Sequence, residues 1–145
     1  MSLPRPEPGQ VIPYDYLWRY EHRKGQEEGR KTRPCVIVLT AENQADGSTR
    51  VTIAPVTHTP PDAADRGIEL PQSVKRTLKL DDARSWVVLD EVNQFTWPGY
   101  DIRPVADTKS RFVCGLDPPK LFDQIVSTIL PRAAAHAVTA IPRDR

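Results

Sequence analysis

The clearest element in the hydrophobic pattern is "RPCVIVLT", residues 33–40, apolar at successive positions and so expected as a strand buried on both faces. The polar "AENQADGS" follows with an Asp46-Gly47 turn signal, and "TRVTIAPVT" reads as the returning strand of a hairpin. Upstream, "QVIPYDYLWRY" is rich in aromatic and β-branched residues, and Pro13 places that strand at an edge or a bulge. The polar "EHRKGQEEGRKT" between them is expected as a loop, with Gly25 and Gly29 as flexible points.

Beyond the hairpin, "RGIELP" predicts a short strand and "PQSVKRTLKL" one or two helical turns. "SWVVLDEVNQFTW" predicts a strand long enough to bend, ended by Pro98-Gly99, and "DIRPV" and "RFVCG" predict two short strands. In "LDPPKLFDQIVSTILP", Asp117 stands as a helix N-cap and Pro118 at the first helical position. Leu121, Phe122, Ile125, Val126, Ile129 and Leu130 then recur at helical spacing as one apolar stripe.

Many short strands and one terminal helix predict a mainly β fold with a C-terminal helix: a small, strongly curved, mostly antiparallel barrel on which the helix packs. Residues 1–8, with Pro4, Pro6 and Pro8, are expected as an extended arm, residues 9–131 as the barrel domain. Residues 132–145 are expected as a tail that extends the helix or is disordered.

Composition narrows this little. The 145 residues suit one domain, and 39% hydrophobic with 27% charged residues reads as globular. No apolar run reaches the ~20 residues of a membrane span, and "MSLPRPEPGQ" lacks the apolar segment of a secretory signal. Cys35 and Cys114 lie in apolar stretches, as buried reduced thiols of a cytoplasmic protein would. The net charge of +1 hides two basic clusters, one over residues 19–33 and one at Lys75, Arg76 and Lys79. Either reads as a solvated face or as a local contact for a nucleic-acid backbone.

The hairpin brings chemistry together. Pairing around Asp46-Gly47 puts the start of one strand beside the end of the other, so Arg33 and Thr57 emerge at one rim. His58 is adjacent, and the basic loop with His22, Arg23, Lys24, Arg30 and Lys31 overhangs the same edge. A guanidinium fork, a hydroxyl, an imidazole and a cationic loop suit a phosphodiester. The three histidines lack metal-ligand spacing and the cysteines form no CxxC pair, so neither a metal nor a cofactor is expected. Asp81-Asp82 and Asp90-Glu91 are neighbours whose side chains diverge along a strand, which disfavours a carboxylate dyad. Cys35, on the buried strand, is read as packing and not as a nucleophile.

"GQVIPYDYLW", "GQEEGRKTRPCVIVL", "VTIAPVTH" and "SWVVLDEVNQF" before a terminal helix, in this order, resemble the PemK/MazF toxins of type II toxin–antitoxin pairs, over roughly Gly9 to Leu130. The resemblance implies an SH3-like barrel homodimer and a metal-independent endoribonuclease on single-stranded RNA, held in check by a cognate antitoxin. It implies that Arg33 is the catalytic arginine and Thr57 the active-site threonine. The reaction it implies is attack of a ribose 2′-hydroxyl on the adjacent phosphate, leaving a cyclic phosphate and a 5′-hydroxyl. Arg33 suits transition-state stabilisation, since guanidinium gives up a proton too reluctantly to be a base. Thr57 would orient the phosphate, and His58, then His22, are nominated as base and acid.

The sequence departs from the family pattern in three places. His58 stands where a small residue is commoner, Asn93 lies in a segment that is commonly more basic, and Glu27 and Glu28 can pair with Arg30 and Lys31. Two other readings stay open: a non-catalytic barrel that binds nucleic acid or protein, and a gyrase poison of the CcdB kind. Trp97-Pro98-Gly99-Tyr100 would serve the latter as a partner anchor, or else is a packed turn.

Overall fold

Strand β2 (Arg33–Glu42) is apolar on both faces because both faces are covered. In the structure, a computed structural model that describes residues 4–29, 31–106, 108 and 111–144, its side chains divide between two cores. Cys35 and Ile37 pack with Ile12, Tyr14, Ile53 and Phe95. Val36 and Val38 face the other way, into a core with Leu121, Ile125 and Ile129 of the C-terminal helix.

The sheet is mostly antiparallel and curls into a half-barrel. Its path runs β4 (Gly67–Glu69), β5 (Trp86–Val88), β3 (Thr49–Thr57), β2, β1 (Gln10–Tyr14) and β7 (Gly115–Leu116). Strand β3 bends, pairing its end with β5 and its start with β6 (Glu91–Thr96). Strands β2 and β3 form the expected hairpin, with Gly47 at φ +74° and its N–H donated to Asn43 O at 2.8 Å. A bulge between Ile37 and Leu39 increases the bend. The fold is the mainly β barrel-like architecture with a C-terminal helix that the pattern of short strands predicts.

Several local expectations are corrected. The polar stretch after Trp18 begins as a short helix, α1 (Arg19–Arg23), with the Glu21 carboxylate accepting the Trp18 N–H at 3.0 Å. Gly29 is no flexible point: a Cβ there would stand 2.3 Å from Tyr16 O, so glycine permits the loop to lie against that backbone. "SWVVLDEVNQFTW" breaks into two strands, β5 and β6, and "DIRPV" contributes only an isolated bridge from Ile102 to Tyr14. A helix α2 (Gln72–Thr77) precedes β5. Its Lys75 is 1% exposed, so the second basic cluster is not one solvated face.

Helix α3 (Pro119–Ala134) has Pro118 at its N-cap position with no side-chain cap bond, and the Asp117 carboxylate, buried and without a partner among the described residues, does not cap it. Of the apolar stripe, Leu121, Ile125 and Ile129 turn inward while Leu130 is exposed. Helix α3 runs three residues into the expected tail, to Ala134, and beyond it β8 (Thr139–Pro142) pairs parallel with β6, with Ile141 buried. Such a segment carries too little hydrophobic period to be read alone; the open edge of β6 selects it. Among the described residues no helix is long and apolar enough to cross a membrane.

Candidate active site

The hairpin pairs Cys35 with Pro55, and the same register continued by two residues sets Arg33 level with Thr57, which pairs with Trp86 of β5. On the other flank Tyr14 pairs with Arg33. One row across four strands thus runs Tyr14, Arg33, Thr57, Trp86, and cross-strand partners share a face. Tyr14 is buried in the core with Ile12 and Phe95, so the row leads from core to rim. There the sheet opens into a cleft of about 420 Å³.

Arg33, Thr57 and His58 all line that cleft, together with Lys31 and Arg66. Trp18 supplies a shelf: the Arg33 guanidinium carbon lies 4.9 Å from the centre of its ring. Arg33 Nε is buried with no hydrogen-bond partner among the described residues, and the guanidinium has no ion pair among them either. A permanently charged, half-buried group without a counter-ion is an expensive arrangement unless an anion completes it. The Thr57 hydroxyl oxygen accepts the Thr59 N–H at 3.2 Å, which fixes the oxygen and leaves the hydroxyl proton to donate outward.

A smaller depression of about 170 Å³ shares Trp18, Tyr20, Lys31 and Arg33 with the main cleft. Arg33 therefore lines both hollows.

The other expected residues separate. His22 is exposed on α1 and lines a different hollow, with Gln26, Pro142 and Arg143. Arg23 is exposed and outside the Arg33 cleft; Lys24 lies 5.7 Å over the Tyr20 ring. Arg30 lies outside the described residues. Of the loop cations among the described residues, Lys31 reaches the cleft. His58 Nε2 is 2.8 Å from Asp81 Oδ2.

Sequence reasoning missed Trp18, Tyr20, Arg66, Trp86 and Asp90, which line the cleft, and Asp81, which bonds His58. Asp90 lines the cleft and sits 3.6 Å from Arg19, while its neighbour Glu91 turns to the interior and accepts the Tyr16 hydroxyl at 3.1 Å. Burial pushes the Glu91 carboxyl up, against the hydrogen bonds from Arg19 N–H and the Tyr16 hydroxyl. The two acids serve different environments, and no dyad forms. For Asp81 the signal in the sequence is a carboxylate six residues after a lysine that itself lies between apolar Val74 and Leu78.

Asn93 is not a missing RNA contact. It is fully buried, and its side chain holds the Leu17 peptide by both polar atoms. Burial drives the Cys35 thiol far up, consistent with packing and not with nucleophilic attack. Trp97 packs near Phe95, at 6.1 Å between ring centres, and Tyr100 is exposed. Among the described residues no group of three or more His, Cys, Asp or Glu is placed to hold a metal ion.

No curated protein and no solved structure matches the chain. A family model does, over residues 15–98: that of the PemK-like, MazF-like toxin of type II toxin-antitoxin systems. The match takes in Trp18, Arg33, Thr57 and β2 to β6 and covers more than half of the chain, and the chain belongs to that toxin family.

Proposed function

We propose that this chain is an endoribonuclease toxin that cleaves single-stranded RNA at the Arg33 cleft. The observation that carries this is the Arg33 guanidinium: charged, half-buried, 4.9 Å from the Trp18 ring centre, in one cleft with Thr57, and without an ionic partner among the described residues. Family membership supports the toxin and its ribonuclease class.

In the proposed reaction the ribose 2′-hydroxyl attacks the adjacent phosphorus, and the bond to the 5′-oxygen breaks. His58 takes the 2′-hydroxyl proton, and the departing 5′-oxygen is protonated from solvent in the open cleft. Arg33 donates to the non-bridging oxygens as negative charge builds on them, and Thr57 aligns the phosphate. Lys31, exposed at the same cleft, attracts the backbone electrostatically. With these cations supplying the charge, the step calls for no metal.

The partners proposed with this reading are a second copy of the chain and an antitoxin whose acidic or amphipathic segment covers the Arg33 rim. An antitoxin complex with that rim open contradicts the latter.

Mapping of cut ends tests the reaction. Long single-stranded RNA incubated with the protein in EDTA is expected to yield discrete fragments with 2′,3′-cyclic phosphates and 5′-hydroxyls. Intact RNA across several substrates, with the protein folded, overturns the proposal.

A further inference from the structure

Lys75 is a buried lysine in a helix of only six residues, an unusual position for an ammonium group. All of its capacity is used. Nζ donates to Asp81 Oδ1 at 2.7 Å, to Ser85 Oγ at 2.7 Å and to the Ala83 carbonyl. The Asp81 carboxylate thus has one oxygen fixed by a buried cation, and the same oxygen accepts the Ala83 N–H at 3.2 Å. Its other oxygen lies 2.8 Å from His58 Nε2.

The chain geometry makes this possible. Helix α2 ends with Lys79 in the left-handed region, at φ +57°, while Leu80 N–H bonds Lys75 O and Lys79 N–H bonds Arg76 O. That pair of bonds is a Schellman ending, and it folds the following residues back over α2 so that Asp81 returns to Lys75. Glycine commonly holds the left-handed position, and here a lysine accepts it.

The arrangement is poorly explained by stability. His58 and Asp81 are both more than half exposed, and a surface pair of this kind contributes little. Burying Lys75 carries a desolvation penalty that an apolar side chain packed with Val74 and Leu78 would avoid. What the arrangement provides is a fixed direction for one imidazole at the edge of the Arg33 cleft.

We propose that Lys75 and Asp81 are positioning residues for His58, holding the imidazole in the Nε2–H tautomer with the Nδ1 lone pair free to accept a proton. The Lys75 hydrogen bond, first, and that of His58 hold Asp81 below its ordinary range, so it is an ionised acceptor and the proton of the shared bond sits on Nε2. This deepens the ribonuclease reading and rests on it for the use made of Nδ1; the anchoring of His58 does not.

The test has two readouts. Nitrogen-15 spectra of the histidine side chains, with His58 assigned through His58→Gln, report the tautomer at alkaline pH in the parent, Asp81→Asn and Lys75→Met. Single-turnover and steady-state RNA cleavage are measured on the same samples. The parent is expected to show the Nε2–H form, Asp81→Asn a mixture of tautomers, and Lys75→Met an intermediate state. Cleavage is expected to fall about 10–100-fold in kcat with KM little changed, as for other residues that orient a reacting group. Asp81→Glu, which restores an acceptor, is expected to recover part of the rate.

An Nδ1–H tautomer in the parent, or a tautomer unmoved in Asp81→Asn, overturns the proposal. So does a shifted tautomer with undiminished cleavage. A parent that shows the expected tautomers yet cuts no RNA overturns the ribonuclease reading and leaves the anchoring of His58 standing. Should Lys75→Met not fold, Asp81→Asn, changed at an exposed carboxylate, decides alone.

Discussion

Asn93 grips the Leu17 peptide by both of its polar atoms: Leu17 N–H donates to Asn93 Oδ1 at 2.9 Å, and Asn93 Nδ2 donates to Leu17 O at 2.8 Å. A side chain here does for the segment after β1 what a neighbouring strand would do. The next residue is Trp18, the shelf beneath Arg33, so a buried amide on β6 reaches the cleft through one stacked ring. Asn93→Leu leaves a buried donor and a buried acceptor without that partner. It is expected to destabilise the fold by about 2–4 kcal/mol, read from urea midpoints, and to lower cleavage more than unfolding accounts for. An unchanged midpoint contradicts the bracing role.

Arg143, just after β8, is buried and spans distant parts of the chain. It donates to Asp101 Oδ2 at 3.0 Å, to Asp15 O at 2.9 Å and to Asn93 Oδ1 at 3.2 Å. Arg143→Met removes the charge-assisted bond to the buried Asp101 carboxylate and is expected to cost about 2–3 kcal/mol. The double variant Arg143→Met with Asp101→Leu is expected to lose less than the sum of the two single variants. Additive losses in the urea midpoints of this cycle contradict the pairing.

Asp117 introduces a pH dependence whose sign can be worked out. Burial lifts its carboxyl from 3.8 to about 6, so between those values the native state holds a proton that the unfolded chain has released. Stability from this group is therefore complete below about pH 3.8 and is lost as pH rises through about 6, by roughly 3 kcal/mol at most. Asp117→Asn mimics the protonated form. It is expected to match the parent near pH 4 and to exceed it in stability at pH 7.5, in urea melts at both pH values. A gap that does not grow with pH contradicts this.

Much of this fold could be read from the chain, because β2 and β3 announce themselves. A run apolar at every position with an Asp-Gly turn behind it admits few structures, and the opposition of Arg33 and Thr57 follows from the register of that hairpin alone. What escaped depended on tertiary partners. β8 is too short to carry a period and exists because β6 offers an edge. Asn93 and Arg143 look like surface residues in sequence and are buried because each completes the hydrogen bonds of the other's surroundings. Lys75 reads as one of three clustered cations until Asp81, Ala83 and Ser85 close around it. Conversely, spacing placed the whole basic loop over the cleft, whereas α1 and the close approach at Gly29 turn His22 toward another hollow.

Arg33 is the centre of the account, and its removal is the most direct test. The parent, Arg33→Ala and Arg33→Lys are compared in single-turnover cleavage of single-stranded RNA in EDTA, with circular dichroism and urea midpoints confirming that each is folded. Arg33→Ala is expected to lose about 10²–10³ in rate, the scale for a preorganised donor at a developing oxyanion. Arg33→Lys, which keeps the charge but not the planar fork, is expected to lie between. Cleavage by folded Arg33→Ala at the parent's rate would contradict the account.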